Sequence, residues 1–229
     1  VPPPTEVPPT EVPPTEAPTS TPLPPTPTFE PTPENTATNP PAGPGDLLYT
    51  TSFDDLDSWY YITAYDDTSG YLAEQRGTSI VLAVPSSDDG IFLYYEGQTW
   101  EDVEVAVVVE KLDGTNYVYS ELFCRSSGSG EYVFMLDHGG YWQIGKWDFN
   151  SNSYEQLAYG GSTVIQAANK VNTMNAICSG PNLIFYINGT EVGRAVDYEF
   201  TQGEIGIGIE TFDFAFAEVM FSGLAVYHP

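Results

Sequence analysis

The sequence predicts an all-β domain of two antiparallel sheets packed face to face, behind an extended, polyproline-II-like N-terminal tail. Three observations lead there. Residues 1–45 hold 17 of the chain's 20 prolines and no Lys or Arg. Beyond Gly45, short apolar runs are broken by Gly, Asn, Asp and Ser clusters, the punctuation of strands and turns. Within those runs apolar side chains recur every second residue, the period of a strand buried on one face. The division is therefore a tail over 1–45 and a β-sandwich over 46–229.

The tail opens on a VPPTE repeat and continues as looser Pro-Thr sequence. Proline fixes φ and removes an amide donor, which excludes a helix and a central strand. Few side chains there are apolar, so the tail cannot form a core of its own. Ten threonines, Thr5, Thr10, Thr15, Thr19, Thr21, Thr26, Thr28, Thr32, Thr36 and Thr38, mostly sit beside prolines. That composition is typical of an O-glycosylated stalk; a plain disordered linker is the alternative.

Val103, Val105, Val107 and Val109 mark one strand, and Ile205, Ile207 and Ile209 another. Further strands are expected over 47–53, 78–84, 90–95, 117–124, 131–137, 141–147, 171–178, 182–187, 190–196 and 215–227. Only Thr163–Lys170 has room for a helical turn or two. Asn188-Gly189 between two apolar runs signals a type I′ hairpin. The same residues with Thr190 form a glycosylation sequon, which makes Asn188 an acceptor candidate as well as a turn residue.

The chain of 229 residues carries 32 Asp and Glu against six Lys and Arg, a net charge of −26. Such a field repels phosphates and anionic membranes, so nucleic-acid binding is excluded as an expectation. No stretch of apolar residues is long enough for a membrane helix, so no membrane insertion is expected of this chain. The chain begins at Val1 without methionine, as a mature or excised product would.

Cys124 and Cys178 each end an expected strand. Two cysteines alone cannot make a tetrahedral zinc site, and neither His138 nor His228 has ligand spacing to them. The choice is between a disulfide in an exported domain and two buried thiols in a cytosolic one. The Pro-Thr tail favours the disulfide. His138, in an Asp137-His138-Gly139-Gly140 turn, and His228 both read as surface residues.

The order of motifs also resembles a known family. Asp54-Asp55 and Trp59 open the domain, followed by Trp100-Glu101-Asp102-Val103-Glu104-Val105, Cys124-Arg125 and Tyr132-Val133-Phe134. Gly140-Tyr141-Trp142-Gln143-Ile144-Gly145-Lys146, Asn175-Ala176-Ile177-Cys178 and Tyr186-Ile187-Asn188-Gly189 come next. Asp197, Phe200 and Gly203-Glu204-Ile205-Gly206 complete the series. This resembles the concanavalin A-like, laminin-G-like modules of bacterial surface proteins, in particular the branch allied to the 3-keto-disaccharide hydrolase-like domain. The resemblance spans about residues 46–228. It implies a two-sheet antiparallel jelly-roll sandwich that binds carbohydrate or serves as an extracellular spacer.

Catalysis is not expected. The Glu-x-Asp-x-x-Glu strand of concanavalin A-like glucanases is missing, and Glu101 and Glu104 point to opposite faces. No metal or other cofactor is required by the sequence. A structural calcium is the one candidate, with Asp54, Asp55, Asp57, Asp66, Asp67, Asp88, Asp89 and the Asp148–Asn152 stretch as sources of oxygen; turn formation accounts for the same residues. For glycan binding the candidates are Tyr141, Trp142 and Trp147, aided by Gln143, Lys146, Tyr154 and Tyr159. Alternation sets Trp142, Ile144 and Lys146 on one face and Tyr141, Gln143 and Trp147 on the other, so one tryptophan at most is free.

Two functions follow as expectations. The first is a non-catalytic extracellular structural protein, a subunit of a glycosylated surface filament whose partners are copies of itself. The second is a lectin-like adhesion module whose partners are surface glycans, with the tail as spacer.

Overall fold

The structure, a computed structural model, describes residues 45–64, 70–85, 89–212 and 215–229. The tail, with its ten threonines from Thr5 to Thr38, lies outside the described residues, as do Asp66, Asp67, Asp88 and the side chain of Asp89.

The strands are β1 (Leu47–Thr51), β2 (Trp59–Thr63), β3 (Leu72–Arg76), β4 (Ser79–Val84), β5 (Asp89–Trp100), β6 (Val103–Gly114), β7 (Tyr119–Ser127), β8 (Gly130–Asp137), β9 (Tyr141–Asp148), β10 (Ser153–Gly161), β11 (Val171–Ser179), β12 (Asn182–Ile187), β13 (Thr190–Val196), β14 (Gly203–Thr211) and β15 (Ala217–Tyr227). One sheet runs β13-β12-β11-β6-β15-β4-β3, with β1 also on β15; the other runs β10-β9-β8-β7-β14-β5-β2. Every pairing is antiparallel, and no helix occurs among the described residues. This is the two-sheet antiparallel sandwich the strand pattern predicts, in the jelly-roll-like form the resemblance implies.

Period-two patterning selects the core. Val103, Val105, Val107 and Val109 of β6 and Ile205, Ile207 and Ile209 of β14, on opposite sheets, are fully buried in one core cluster. Strand β11 alternates strictly, with Asn172, Met174, Ala176 and Cys178 inward. Cys124 of β7 and Cys178 of β11 form a disulfide that ties one sheet to the other. Closing the intervening 54-residue separation stabilises the fold by roughly 4 kcal/mol on the chain-entropy model.

Asn188 and Gly189 join β12 to β13 with φ of 51° and 75°, the two left-handed residues a type I′ turn requires. The expected helical turn over Thr163–Lys170 does not form. That stretch is pinned instead by Asn172, whose Oδ1 accepts from Gln166 N at 2.7 Å and whose Nδ2 donates to Gln166 O at 2.9 Å. Side-chain bonds of this sort replace the helical ladder.

Gly193 of β13 faces Trp142 of β9 so closely that a Cβ there would fall within the indole ring. Gly193→Ala should therefore lower unfolding free energy by about 1–3 kcal/mol through overpacking. Urea titration followed by tryptophan fluorescence measures it, and an unchanged midpoint would refute the tight seat.

Candidate functional site

The outward face of the seven-stranded sheet breaks the usual polar-out rule. Tyr94 (β5), Phe123 (β7), Val133 and Met135 (β8) form a second buried apolar cluster there, flanked by Phe92, Tyr119, Trp147 and Tyr154. Register explains the grouping. Tyr60 pairs with Tyr94, Tyr94 with Gly206, Gly206 with Phe123, Phe123 with Val133, and Val133 with Gly145. The glycines leave space that rings fill: a Cβ at Gly206 would crowd Tyr94 and Phe123, and one at Gly208 would crowd Phe92. Ring centroids lie 5.4 Å apart for Tyr60–Tyr94 and 5.3 Å for Tyr94–Phe123. These are favourable aromatic spacings.

Two hollows open on this platform, of about 420 and 200 Å³, and share Ile62, Tyr94 and Phe149 as walls. Together they make one groove. Tyr60, Ile62 and Phe149 are exposed along it, and Trp147 is half-buried at its end. Its charged groups are all acidic: Glu204 in the first hollow, beside neutral Thr99, Ser126, Ser127 and Gln202, and Glu121, Glu131 and Glu210 in the second. Tyr60 donates to Glu204 Oε2 at 3.0 Å, and Tyr94 donates to Glu131 Oε1 at 3.2 Å.

Glu121 and Glu131 are almost wholly buried, at 1% and 2% exposure. Glu121 Oε1 and Glu131 Oε2 have no hydrogen-bond partner. Burial pushes the Glu131 carboxyl up to about 7, against the pull of the Ser126 and Tyr94 hydroxyls. Burial, then the neighbouring Glu210 and Glu131, pushes Glu121 well above the usual carboxylate range. Both acids are held where the proton is favoured over the charge.

A larger recess of about 540 Å³ lies by β1, lined by Tyr49, Asp54, Asp55 and Tyr95 among others. Its turn is closed on itself: Ser52 Oγ donates to Asp54 and Asp57 N to Asp55, each at 2.9 Å. It offers no orphaned buried polar group, so the groove is the better site. Among the described residues no three Asp, Glu, His or Cys side chains group as metal ligands. Asp148 is occupied as a turn former, accepting from Asn150 N, Ser151 N and Ser151 Oγ at 2.8, 3.2 and 2.7 Å.

The sequence-derived residues divide. Trp147 stands in the groove and packs on Tyr154, with centroids 5.3 Å apart. Tyr141 shares its face but is exposed at the far end of β9 and lines neither hollow. Trp142 is a correction: the alternation turns it inward, where Gly160 and Gly193 seat its ring in the core. His138 is another. It is fully buried rather than superficial, with Nε2 at 3.1 Å from Ser120 Oγ; His228 is exposed. Buried Ser120 and His138 have no opening to a substrate, and Nδ1 lacks the partner that would orient a catalytic imidazole. Asn188 Nδ2, where a glycan would attach, donates to Val164 O at 2.7 Å and Asn172 Oδ1 at 2.8 Å. Attachment would replace one of the two amide hydrogens and so break at least one of these bonds. Glu121, Glu131, Tyr60, Tyr94 and Phe149 were not among the expected site residues.

Solved structures share this architecture. Carbohydrate-binding module CBM66 from Bacillus subtilis is similar at TM-score 0.57 and 15% identity, over 73% of this chain and 94% of that one. A Bacillus subtilis protein of unknown function with a galectin-like fold is similar at TM-score 0.61 and 14% identity, over 80% and 96%. A GH16 protein of a Bacteroides ovatus mixed-linkage glucan PUL, in complex with a G4G4G3G product, is similar at 0.56 and 9%, over 78% and 99%. The fold is thus a jelly-roll sandwich of the concanavalin A-like kind. No family model matches the sequence, and comparison with curated proteins finds no match.

Proposed function

We propose that the domain is a non-catalytic carbohydrate-binding module whose glycan lies in the groove on the outer face of the seven-stranded sheet. The observation that carries the reading is the groove itself: exposed Tyr60 and Phe149 and half-buried Trp147 beside hydrogen-bonding carboxylates. Sugar rings offer apolar faces to aromatics and hydroxyls to acids, and this lining presents both partners. Similarity to a carbohydrate-binding module and a GH16 protein supports the same direction. The motif order supports placing it beside the 3-keto-disaccharide hydrolase-like branch. A disulfide between the sheets fits an extracellular setting, with the Pro-Thr tail as a glycosylated spacer. The filament reading rests on that tail alone and has no support among the neighbours, so glycan binding is preferred.

Affinity electrophoresis and calorimetry against cello-, laminari-, fructo- and chito-oligosaccharides test it. Tyr60→Ala and Phe149→Ala should each weaken the binding oligosaccharide about tenfold, the loss of one ring contact with its buried area. Tyr159→Ala, on an exposed ring outside the groove, should leave binding intact. Equal loss at Tyr159 would refute the location, and release of new reducing ends would refute the non-catalytic reading.

A further inference from the structure

The groove has a charge problem that the protein does not solve alone. Glu121, Glu131, Glu204 and Glu210 line it, and no Lys or Arg does. Four of the chain's six cations are ion-paired elsewhere: Arg76 with Glu74 and Glu218, Arg125 with Asp102, Lys146 with Asp197 and Glu199, and Arg194 with Glu191; Lys111 donates to Gly114 O, and neither it nor Lys170 lines the groove. Glu131 Oε2 and Glu121 Oε1 are buried against the groove without a hydrogen-bond donor. An orphaned buried acceptor is costly and calls for a donor.

A metal ion is a poor answer, because these acids do not group as a ligand set. A neutral hydroxyl supplies a donor but no charge. An ammonium supplies both, and the surrounding rings of Tyr60, Tyr94 and Trp147 add cation–π attraction. Building on the glycan reading, we propose that the groove selects a glycan bearing a free, protonated primary amine, a de-N-acetylated hexosamine unit, and rejects uronic and sulfated sugars. The amine is placed over Glu131 and Glu121, with Glu210 on β14, Tyr119, Tyr94 and Tyr154 on the adjoining strands and Tyr60 on β2 as the other titratable groups facing them.

The test uses calorimetry with glucosamine oligomers, N-acetylglucosamine oligomers of the same length and galacturonic acid oligomers. The free-amine oligomer should bind about tenfold more tightly than the acetylated one, as expected for a charge-assisted bond. The uronic oligomer should not bind. The preference should persist at physiological salt, which screens loose attraction to an acidic surface but not a buried pair. Glu131→Gln and Glu121→Gln should each reduce the preference; Glu74→Gln, on β3 of the other sheet, should not. Neutral oligomers binding without amine preference, or a preference that falls equally with Glu74→Gln, would overturn this inference and leave the glycan reading standing. No binding by any oligosaccharide in either panel would overturn both.

Discussion

Replacing Arg125 by alanine is expected to lower unfolding free energy by about 4 kcal/mol, the scale for removing one partner of a buried charged network. The guanidinium is 3% exposed. Its Nε donates to Glu101 O at 2.6 Å, one terminal nitrogen to Gly180 O at 2.8 Å and Phe200 O at 3.1 Å, and the other to Asp102 Oδ1 at 3.1 Å. One side chain therefore holds three loops at the end of the sandwich beside the disulfide. Alanine leaves three carbonyls without their donor. Lysine cannot restore them, because a single ammonium lacks the planar fork that reaches all three. Arg125 also has φ 55°, at the bulge where β7 loses register with β8. Arg125→Gly should consequently be less damaging than Arg125→Ala by about 1 kcal/mol, the relief of left-handed strain. Urea titrations of the oxidised protein with an unchanged slope would measure both differences. A loss below about 1 kcal/mol for Arg125→Ala would show that the loops hold without it.

The fold was legible where one face of a strand is buried and the other is not. Strands β6, β11, β12 and β14 announce themselves by period two because the other sheet supplies a continuous apolar surface for alternate residues. Strands β2, β3 and β10 were not expected. Each lies at the edge of a sheet, where little burial imposes a pattern. The β3 sequence LAEQR is polar and helix-favouring, yet it pairs with fully buried β4. Tertiary pairing overrode local preference.

The site was less legible, for a different reason. Its contacts join residues remote in sequence: Tyr60 meets Glu204 across 144 positions, and Tyr94 meets Glu131 across 37. Strand order makes those neighbours, and no local motif encodes it. A weaker signal was present. Tyr119, Glu121 and Phe123 alternate with core-facing Ser120, Leu122 and Cys124, while Glu131, Val133 and Met135 alternate with Tyr132, Phe134 and Leu136. Apolar side chains on the solvent-facing phase of two adjoining strands indicate a second covered surface, and the acids in that phase are the ones to suspect. The single tryptophan allowed by alternation, Trp147, is the one sequence candidate that the groove contains.

Glu131→Gln is expected to stabilise the free protein at pH 8 and to do nothing at pH 4. The folded-state value of Glu131 is about 7 against an ordinary 4.5. Between those values the native state keeps a proton that the unfolded chain has released. Stability is therefore complete below pH 4.5 and is lost as pH rises through 7, by about 3 kcal/mol. Glutamine keeps the acceptor for Tyr94 and removes the charge, so it recovers that loss. His138 runs the other way. Burial, then Lys111, lowers it from 6.5 to about 4, so its neutral form supports the fold above pH 6.5 and that support is lost as pH falls to 4. In the wild type the two slopes oppose one another between pH 4.5 and 6.5. With Glu121 and Glu131 both replaced by glutamine, the His138 slope should emerge, with stability rising by about 3 kcal/mol from pH 4 to 6.5. Urea midpoints at pH 4, 6.5 and 8 for the wild type and the single and double variants isolate the glutamate contributions, because the other groups cancel in the differences; adding His138→Gln to the double variant, which should flatten the remaining slope, isolates that of His138. A Glu131→Gln protein no more stable than wild type at pH 8 would mean that water already reaches this carboxylate. The same result would remove the energetic reason for the groove to prefer a cation, since an ionised Glu131 that costs nothing in the free protein has nothing to gain from an amine.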